Sequence, residues 1–130
     1  MTLFKPISEK KASAKVKKIF NRIKKKRKIK VIPNFWKTIA NDSNTLERTW
    51  NSLCQIMKKG ALDPLTKELL YIAVSMTNSC EYCIRSHTAA AKKKGMTNKM
   101  LKELIAVVGM ANETNRLVES YQVEVDNYLK

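Results

Sequence analysis

A chain of 130 residues is long enough for one domain with one hydrophobic core, but hardly for two. Glycine and proline are scarce, with three residues of each, so the composition favours helices over strands. The net charge of +15 resembles that of a nucleic-acid-binding protein. However, residues 1–30 contain 13 of the 26 basic residues and a single acid, whereas residues 31–130 contain 13 basic and 10 acidic residues. The excess positive charge is therefore mainly in the N-terminal segment.

The first half of the chain predicts three helical segments, because apolar residues recur there at helical spacing. Ser8 can cap a first helix that runs into the basic residues 24–28; its apolar stripe is Val16, Ile19, Phe20 and Ile23. Pro33 ends that region, and a short segment with two aromatic residues follows. Another helix begins near Ser43, and Gly60 fits its C′ position; its stripe is Leu46, Trp50, Leu53 and Met57.

The second half also predicts helices. Asp63 and Pro64 provide an N-cap followed by proline at the first helical position; the stripe behind them is Leu65, Leu69, Ile72 and Met76. Residues 77–79 offer an N-cap for a helix that starts near Cys80 and ends at Gly95. Thr97 can cap the next helix, with Leu101, Leu104, Ile105 and Val108 directed inward. A separate last helix would place Leu117, Tyr121, Val125 and Tyr128 on one side.

These elements predict an all-α fold of six or seven helices. We expect a single domain, residues 1–130, in which residues 1–30 form a basic N-terminal helix and residues 31–130 form the core. One small core cannot cover this many apolar stripes, so the domain is expected to form oligomers.

The sequence also predicts a cytoplasmic protein without a membrane span. Its first residues lack the apolar stretch of about 7–15 residues that a secretory signal requires. The longest mostly apolar run, Leu69 to Met76, is far too short to cross a bilayer. In the cytosol, paired thiols more often serve catalysis or metal binding than structural disulfides, and three cysteines are an odd number for a disulfide framework.

The helix near Cys80 places two thiols and the only histidine of the chain on one face. At about 100° per residue, Cys80, Cys83 and His87 fall within an arc of roughly 100°, opposite the charged residues of that helix. Glu68, on the preceding helix, lies at the margin of an apolar stripe, where a charged side chain usually has a partner.

These residue types suit thiol chemistry. A thiolate rather than a thiol attacks, and its pKa falls near a helix N-terminus or beside a base. The helix dipole favours Cys80, whereas His87 follows Cys83 by four residues, the spacing at which helical side chains meet. His87 can accept the thiol proton, and Glu68 could orient or recharge His87. The residues alone leave open which cysteine attacks; the other would close an intramolecular disulfide.

The pattern E-x11-C-x2-C-x3-H, formed by Glu68, Cys80, Cys83 and His87, resembles the signature of AhpD-like alkylhydroperoxidases. These proteins belong to the carboxymuconolactone decarboxylase superfamily. The resemblance covers roughly residues 30–110. It implies peroxide reduction in which Cys83 attacks, Cys80 resolves, and Glu68 and His87 relay protons. Members that decarboxylate lactones lack the cysteine pair, so that activity is not expected.

The resemblance also implies partners. It implies a hydroperoxide substrate, a dithiol electron donor such as a lipoyl group or a thioredoxin-like protein, and a homo-oligomer that is a trimer or a hexamer. We expect no bound cofactor and no metal. The best-studied members have two such helical units and a histidine between the cysteines, whereas this chain has one unit and Tyr82.

Other interpretations of the same residues concern binding rather than catalysis. The cysteine pair and His87 could hold zinc, with Glu68 or Cys54 as a fourth ligand, although this compact helical spacing strains tetrahedral geometry. With zinc bound, the protein would be a metal-sensing binding module. Without zinc, the alternatives to a peroxidase are a thiol–disulfide oxidoreductase and a redox-sensing binding module, both without peroxidase turnover. Cys54 itself is expected to be an inert buried thiol.

The basic N-terminal helix has two interpretations. Clustered lysines could bind nucleic acid or an anionic membrane surface. The helix could instead present a solvated face of a lysine-rich protein. No base-reading motif accompanies the lysines, so we favour the solvated face and do not expect nucleic acid as a partner.

Overall fold

A computed structural model describes residues 3–130, which form six α-helices and one short 3₁₀ helix. The helices are α1 (Ala14–Arg27), α2 (Asn34–Ile39), α3 (Ser43–Met57), α4 (Pro64–Thr77), α5 (Glu81–Lys93) and α6 (Asn98–Ser120), followed by the 3₁₀ helix Asn127–Leu129. No strand occurs within this range, which confirms the all-α prediction.

The described chain forms two compact units. The first ends at Ile56, and the second comprises Met57–Lys130. The boundary falls close to the end of α3 rather than after residue 30, where the sequence suggested a division between a basic helix and a core. The assignment of residues 1–130 to a single domain stays a prediction.

The first unit has a core of its own. The predicted stripe of α1 is buried there, together with two tryptophans; the buried residues are Ala12, Val16, Ile19, Phe20, Ile23, Ile32, Trp36, Ala40, Leu46 and Trp50. The rings of Trp36 and Trp50 meet edge to face with centroids 5.3 Å apart. The guanidinium of Arg27 lies 5.4 Å and 5.5 Å from these two ring centroids, within cation–π range.

The second unit packs around α4. This helix contacts both α5 and α6. Ile72 on α4, Ala91 on α5 and Met96 are buried, and partly buried residues surround them: Leu65, Leu69, Met76, Met100, Leu101 and Leu104. A polar side chain on the side of α4 that packs against α5 is therefore shielded from water and can contact polar groups of α5.

Two helix starts in this unit follow the predicted caps. The Asp63 carboxylate accepts a hydrogen bond from the backbone N–H of Thr66 at 3.0 Å, and Pro64 is the first residue of α4. The Thr97 hydroxyl accepts from the N–H of Met100 at 3.1 Å and caps α6.

The start predicted for α1 is wrong. This helix begins at Ala14, and Ser13 rather than Ser8 is its N-cap. Ser8 lies in a preceding turn, where its carbonyl and hydroxyl oxygens both accept from the N–H of Lys11. A serine that closes a turn and a serine that caps a helix have the same local sequence preference, so the pattern did not separate them.

Two predictions at helix ends are also wrong. Gly60 is not the C′ residue of α3, which ends at Met57. A separate last helix does not form, because no strong breaker interrupts α6 before Ser120. α6 ends in a Schellman motif, in which the N–H groups of Gln122 and Val123 donate to the carbonyls of Glu119 and Val118, with Gln122 at φ 50°.

Among the described residues, no helix combines the length and the apolar character that crossing a membrane requires.

Candidate functional site

The cysteine pair lies at the junction between α4 and α5. Two residues after the end of α4, Ser79 adopts the left-handed conformation at φ 56°, and the N–H of Cys80 donates back to the carbonyl of Ser75 at 2.9 Å. This Schellman closure reverses the chain in two residues. It makes Cys80 the N-cap of α5, so the expectation of a cap within residues 77–79 is wrong.

Cys80 and Cys83 form a disulfide with their Cα atoms 5.3 Å apart. Both residues are partly buried. The sulfur of Cys80 accepts a hydrogen bond from the backbone N–H of Cys83 at 3.4 Å, as a serine hydroxyl would at the same position. A reduced Cys80 would therefore lie where free N–H groups and the helix dipole favour a thiolate.

Glu68 and His87 meet across the α4–α5 interface. Oε2 of Glu68 lies 2.7 Å from Nδ1 of His87, and their side chains are 7 % and 12 % exposed. The sequence placed Glu68 at the margin of a buried face and suggested that it orients His87, and in the structure the two side chains are in hydrogen-bond contact. His87 and Cys83 are one helical turn apart on α5.

Two further residues contact this pair, and sequence reasoning missed both. Nζ of Lys94, at the C-cap of α5, lies 2.9 Å from Oε1 of Glu68. The ring of Tyr71 stacks on the imidazole of His87, with centroids 3.5 Å apart and planes 18° from parallel. Tyr71 follows Glu68 by three residues and Lys94 follows His87 by seven, so helical spacing could have suggested both.

The protonation state of Glu68 follows from competing effects. Burial raises the pKa of Glu68, but the hydrogen bonds from His87 and Lys94, with the positive charge of Lys94, outweigh burial and hold the pKa below its ordinary value. Glu68 is therefore a carboxylate near neutral pH. A carboxylate only accepts hydrogen bonds, so Nδ1 of His87 must carry a proton, and Nε2 is the nitrogen left to act as a base.

Replacement of Glu68 by glutamine tests this charge through its pH dependence. A group whose pKa is lower in the folded state stabilises the fold above its unfolded pKa, and this stabilisation disappears as the pH falls through the folded value. We expect Glu68→Gln to lower the free energy of unfolding by about 1–2 kcal/mol at neutral pH. That difference should shrink once the pH falls below the ordinary value of 4.5.

Urea unfolding of both proteins between neutral and acid pH measures the difference. Asp63→Asn is unsuitable as a control because Asp63 caps α4, whereas Glu113→Gln changes an exposed carboxylate in the interior of α6. A stability difference for Glu68→Gln that stays constant with pH would contradict a paired, charged Glu68.

The structure joins the four predicted site residues as two pairs, Glu68 with His87 and Cys80 with Cys83. Tyr82, between the cysteines, is exposed. Cys54 lies apart in sequence and packs as a free thiol against the core of the first unit. Within residues 3–130 no group of three or more His, Cys, Asp or Glu side chains is placed to hold a metal ion.

Comparison with known proteins gives consistent matches. A family model described as the carboxymuconolactone decarboxylase family matches residues 44–123. The crystal structure of the alkylhydroperoxidase AhpD core from Rhodospirillum rubrum superimposes with a TM-score of 0.93; it is 42% identical in sequence and the match covers 99% of this chain and 97% of that one.

Curated relatives match over shorter stretches. An alkyl hydroperoxide reductase AhpD from Solibacter usitatus is 31% identical over 72 residues, 55% of this chain and 39% of that protein. An uncharacterized protein in the cox locus of Paracoccus denitrificans is 38% identical over 52 residues, 40% of this chain and 47% of that protein. The chain thus spans less than half the length of these curated relatives.

Proposed function

Because the chain belongs to the carboxymuconolactone decarboxylase family, we propose that it is a thiol-dependent peroxidase of the AhpD-like type, located in the cytoplasm. One observation carries the proposal: the Cys80–Cys83 pair lies at the start of α5, and the same helix carries His87, which is hydrogen-bonded to the buried carboxylate of Glu68. A purely structural disulfide would not need a partly buried base one turn away. This arrangement supplies both a reversible two-electron couple and a route for protons.

The first half-reaction consumes the hydroperoxide. Nε2 of His87 takes the proton of the Cys83 thiol, and the thiolate attacks one peroxide oxygen. An S–O bond forms, the O–O bond breaks, and the departing alkoxide receives the proton from His87 as an alcohol. The sulfur of Cys83 is oxidised by two electrons to a sulfenic acid, and the hydroperoxide is reduced by the same two.

The second half-reaction restores the enzyme. The thiol of Cys80 condenses with the sulfenic acid, which releases water and leaves the Cys80–Cys83 disulfide seen in the structure. A dithiol donor, a lipoyl group or a thioredoxin-like protein, then exchanges with this disulfide. The donor ends as a disulfide, and both cysteines return to thiols.

The assignment of Cys83 as the attacking sulfur depends on proton access. Its position one turn before His87 favours proton transfer to the imidazole. The N-cap position of Cys80 favours a thiolate there instead, and a low-pKa thiolate is also a good leaving group when the donor attacks the disulfide. The two environments therefore fit an attacking and a resolving cysteine.

Steady-state assays with the reduced protein test the proposal. We would supply hydrogen peroxide or an organic hydroperoxide together with dihydrolipoamide or a thioredoxin system, and measure hydroperoxide loss against donor oxidation. The proposal expects equal amounts of both and much slower turnover with a monothiol. Donor exchange at the disulfide without hydroperoxide loss would indicate a thiol–disulfide oxidoreductase instead.

Self-association is part of the proposal, as a trimer or a hexamer. No residue of α6 is buried, although this helix is 23 residues long. Exposed apolar side chains lie within roughly 100° of one side of α6 and its C-cap; they are Val107, Met110, Leu117, Val118 and, at the C-cap, Tyr121. Exposed apolar side chains that share one side of a helix are typical of an interface, and a second copy of the chain presents the same side.

Replacement of Met110 by glutamate is expected to weaken self-association by at least roughly tenfold, because the interface would have to desolvate an unpaired carboxylate. Light scattering coupled to size exclusion gives the mass across a dilution series, and circular dichroism checks the fold. Lys102→Glu introduces the same carboxylate at an exposed position of α6 away from that side. Wild-type protein with the mass of one chain would refute an oligomer.

A further inference from the structure

Lys94 occupies a position that the proposed reaction does not yet use. Its ammonium group lies 2.9 Å from Oε1 of Glu68, while the other carboxylate oxygen faces His87 at 2.7 Å. Glu68 therefore bridges the imidazole and the ammonium, one oxygen to each. The Lys94 side chain is 38 % exposed and the Glu68 side chain 7 %, so the ion pair joins a solvated cation to a buried anion.

The hydrogen bond from His87 is the largest single effect that lowers the pKa of Glu68, and Lys94 adds a second hydrogen bond and a positive charge. Burial in an apolar interface favours the protonated acid, and a neutral imidazole supplies only one N–H donor against it. Lys94 adds a fixed positive charge at hydrogen-bond distance. Of the two partners, only Lys94 stays charged whatever the protonation state of His87.

The protonation state of Glu68 decides which nitrogen of His87 is basic. With Glu68 ionised, Nδ1 donates to Oε2 and Nε2 carries a lone pair. With Glu68 protonated, its O–H would donate to Nδ1, and the proton of a neutral imidazole would move to Nε2. In that second state, Nε2 could no longer accept a proton from a thiol.

The groups around Glu68 and His87 come from α4, from α5 and from the C-terminal end of α5. From α5 the carboxylate meets His87, and from the C-terminal end of α5 it meets Lys94. From α4, the ring of Tyr71 covers a face of the imidazole. Cys80 and Cys83 are at the opposite, N-terminal end of α5.

We propose that Lys94 is a positioning residue of the thiol site, which holds Glu68 as a carboxylate and thereby fixes His87 in the tautomer whose Nε2 is unprotonated. Lys94 acts through Glu68 and does not touch the reacting sulfur. This role rests on the proposed peroxidase function, in which the unprotonated Nε2 of His87 takes the proton of the Cys83 thiol. The tautomer itself does not depend on the substrate.

Nuclear magnetic resonance of the imidazole nitrogens tests the tautomer directly. His87 is the only histidine among the 130 residues, so tag-free protein gives one pair of nitrogen signals. We expect wild type and Lys94→Arg to show a protonated Nδ1 and an unprotonated Nε2. Lys94→Gln should show a mixed or reversed tautomer at mildly acidic pH, where wild type still has its proton on Nδ1. Lys93→Gln removes an exposed lysine next to it and should resemble wild type.

The reactivity of the thiols gives a second measurement, with Cys54 replaced by serine in every protein so that only the pair reacts. The rate of iodoacetamide alkylation follows the thiolate fraction of the reduced pair, so it falls at low pH as the thiols become protonated. We expect Lys94→Gln to shift this acid limb to higher pH by about half a unit to one unit, a figure discounted for the partial exposure of Lys94. Lys94→Arg should restore the wild-type profile.

These experiments distinguish a failure of the proposed role of Lys94 from a failure of the proposed peroxidase function. Circular dichroism first checks that Lys94→Gln is folded. If the folded variant keeps both the wild-type nitrogen signals and the wild-type alkylation profile, the role of Lys94 is refuted. If those signals respond as expected but wild type consumes no hydroperoxide with any donor, the peroxidase proposal fails and the assignment of Lys94 survives.

Discussion

Replacement of Cys83 by serine is expected to abolish hydroperoxide turnover, with any residual rate at least about a thousandfold below that of wild type. A serine hydroxyl is a far weaker nucleophile than a thiolate, and it cannot form the disulfide that the donor reduces. The measurement is hydroperoxide loss with a saturating dithiol donor. Equal turnover by Cys83→Ser and wild type would contradict the assigned role of Cys83.

Matched variants separate the roles of the three cysteines. Cys80→Ser should complete one attack and then stop as a Cys83 sulfenic acid, which a dimedone-type probe captures. Cys54→Ser should keep wild-type turnover, because Cys54 packs in the first unit against a separate core. If Cys80→Ser rather than Cys83→Ser were the variant unable to react with even one equivalent of hydroperoxide, the attacking and resolving roles would be exchanged.

Replacement of His87 by alanine is expected to lower turnover by about 10²–10⁴-fold at neutral pH, the usual contribution of a positioned general base. The loss should shrink as the pH rises past about 8.5, where an ordinary thiol ionises without help. A pH profile of the rate of reaction with hydroperoxide measures both effects. Ser86→Ala, an exposed neighbour on the same helix, is the matched control.

A loss for His87→Ala that stays the same at every pH would indicate a structural rather than a proton-transfer role. The structure makes such a role a real competitor, because His87 also fills the α4–α5 interface between Glu68 and the Tyr71 ring. The pH profile distinguishes the two roles, since a packing defect does not depend on thiol ionisation.

Local sequence signals predicted those parts of the fold whose causes are local. Asp63 and Thr97 cap helices by accepting hydrogen bonds from the N–H groups three residues on, and Pro64 follows Asp63 as the first helical residue. The end of α6 was missed because Gln122 adopts the left-handed conformation, which sequence patterns assign to glycine or asparagine. The boundary after Ile56 depends on which helices pack together and has no local signal.

The part of the site that follows the pattern E-x11-C-x2-C-x3-H was predictable from the sequence. Glu68, Cys80, Cys83 and His87 stand out as a pattern, and the structure adds the Glu68–His87 hydrogen bond. Lys94 was missed because it ends a run of three lysines that is indistinguishable in sequence from a solvated helix end. The choice of Lys94 over its neighbours depends on where the C-cap of α5 places its side chain relative to α4.

The location of the oxidised sulfur tests the proposed chemistry most directly. Peptide mass spectrometry would compare the fully reduced protein before and after one equivalent of hydroperoxide, with free thiols blocked on quenching. The proposed mechanism predicts that the Cys80–Cys83 disulfide forms within the time of hydroperoxide loss and that Cys54 remains a thiol. A pair that stays reduced while the hydroperoxide persists, or oxidation confined to Cys54, would contradict it.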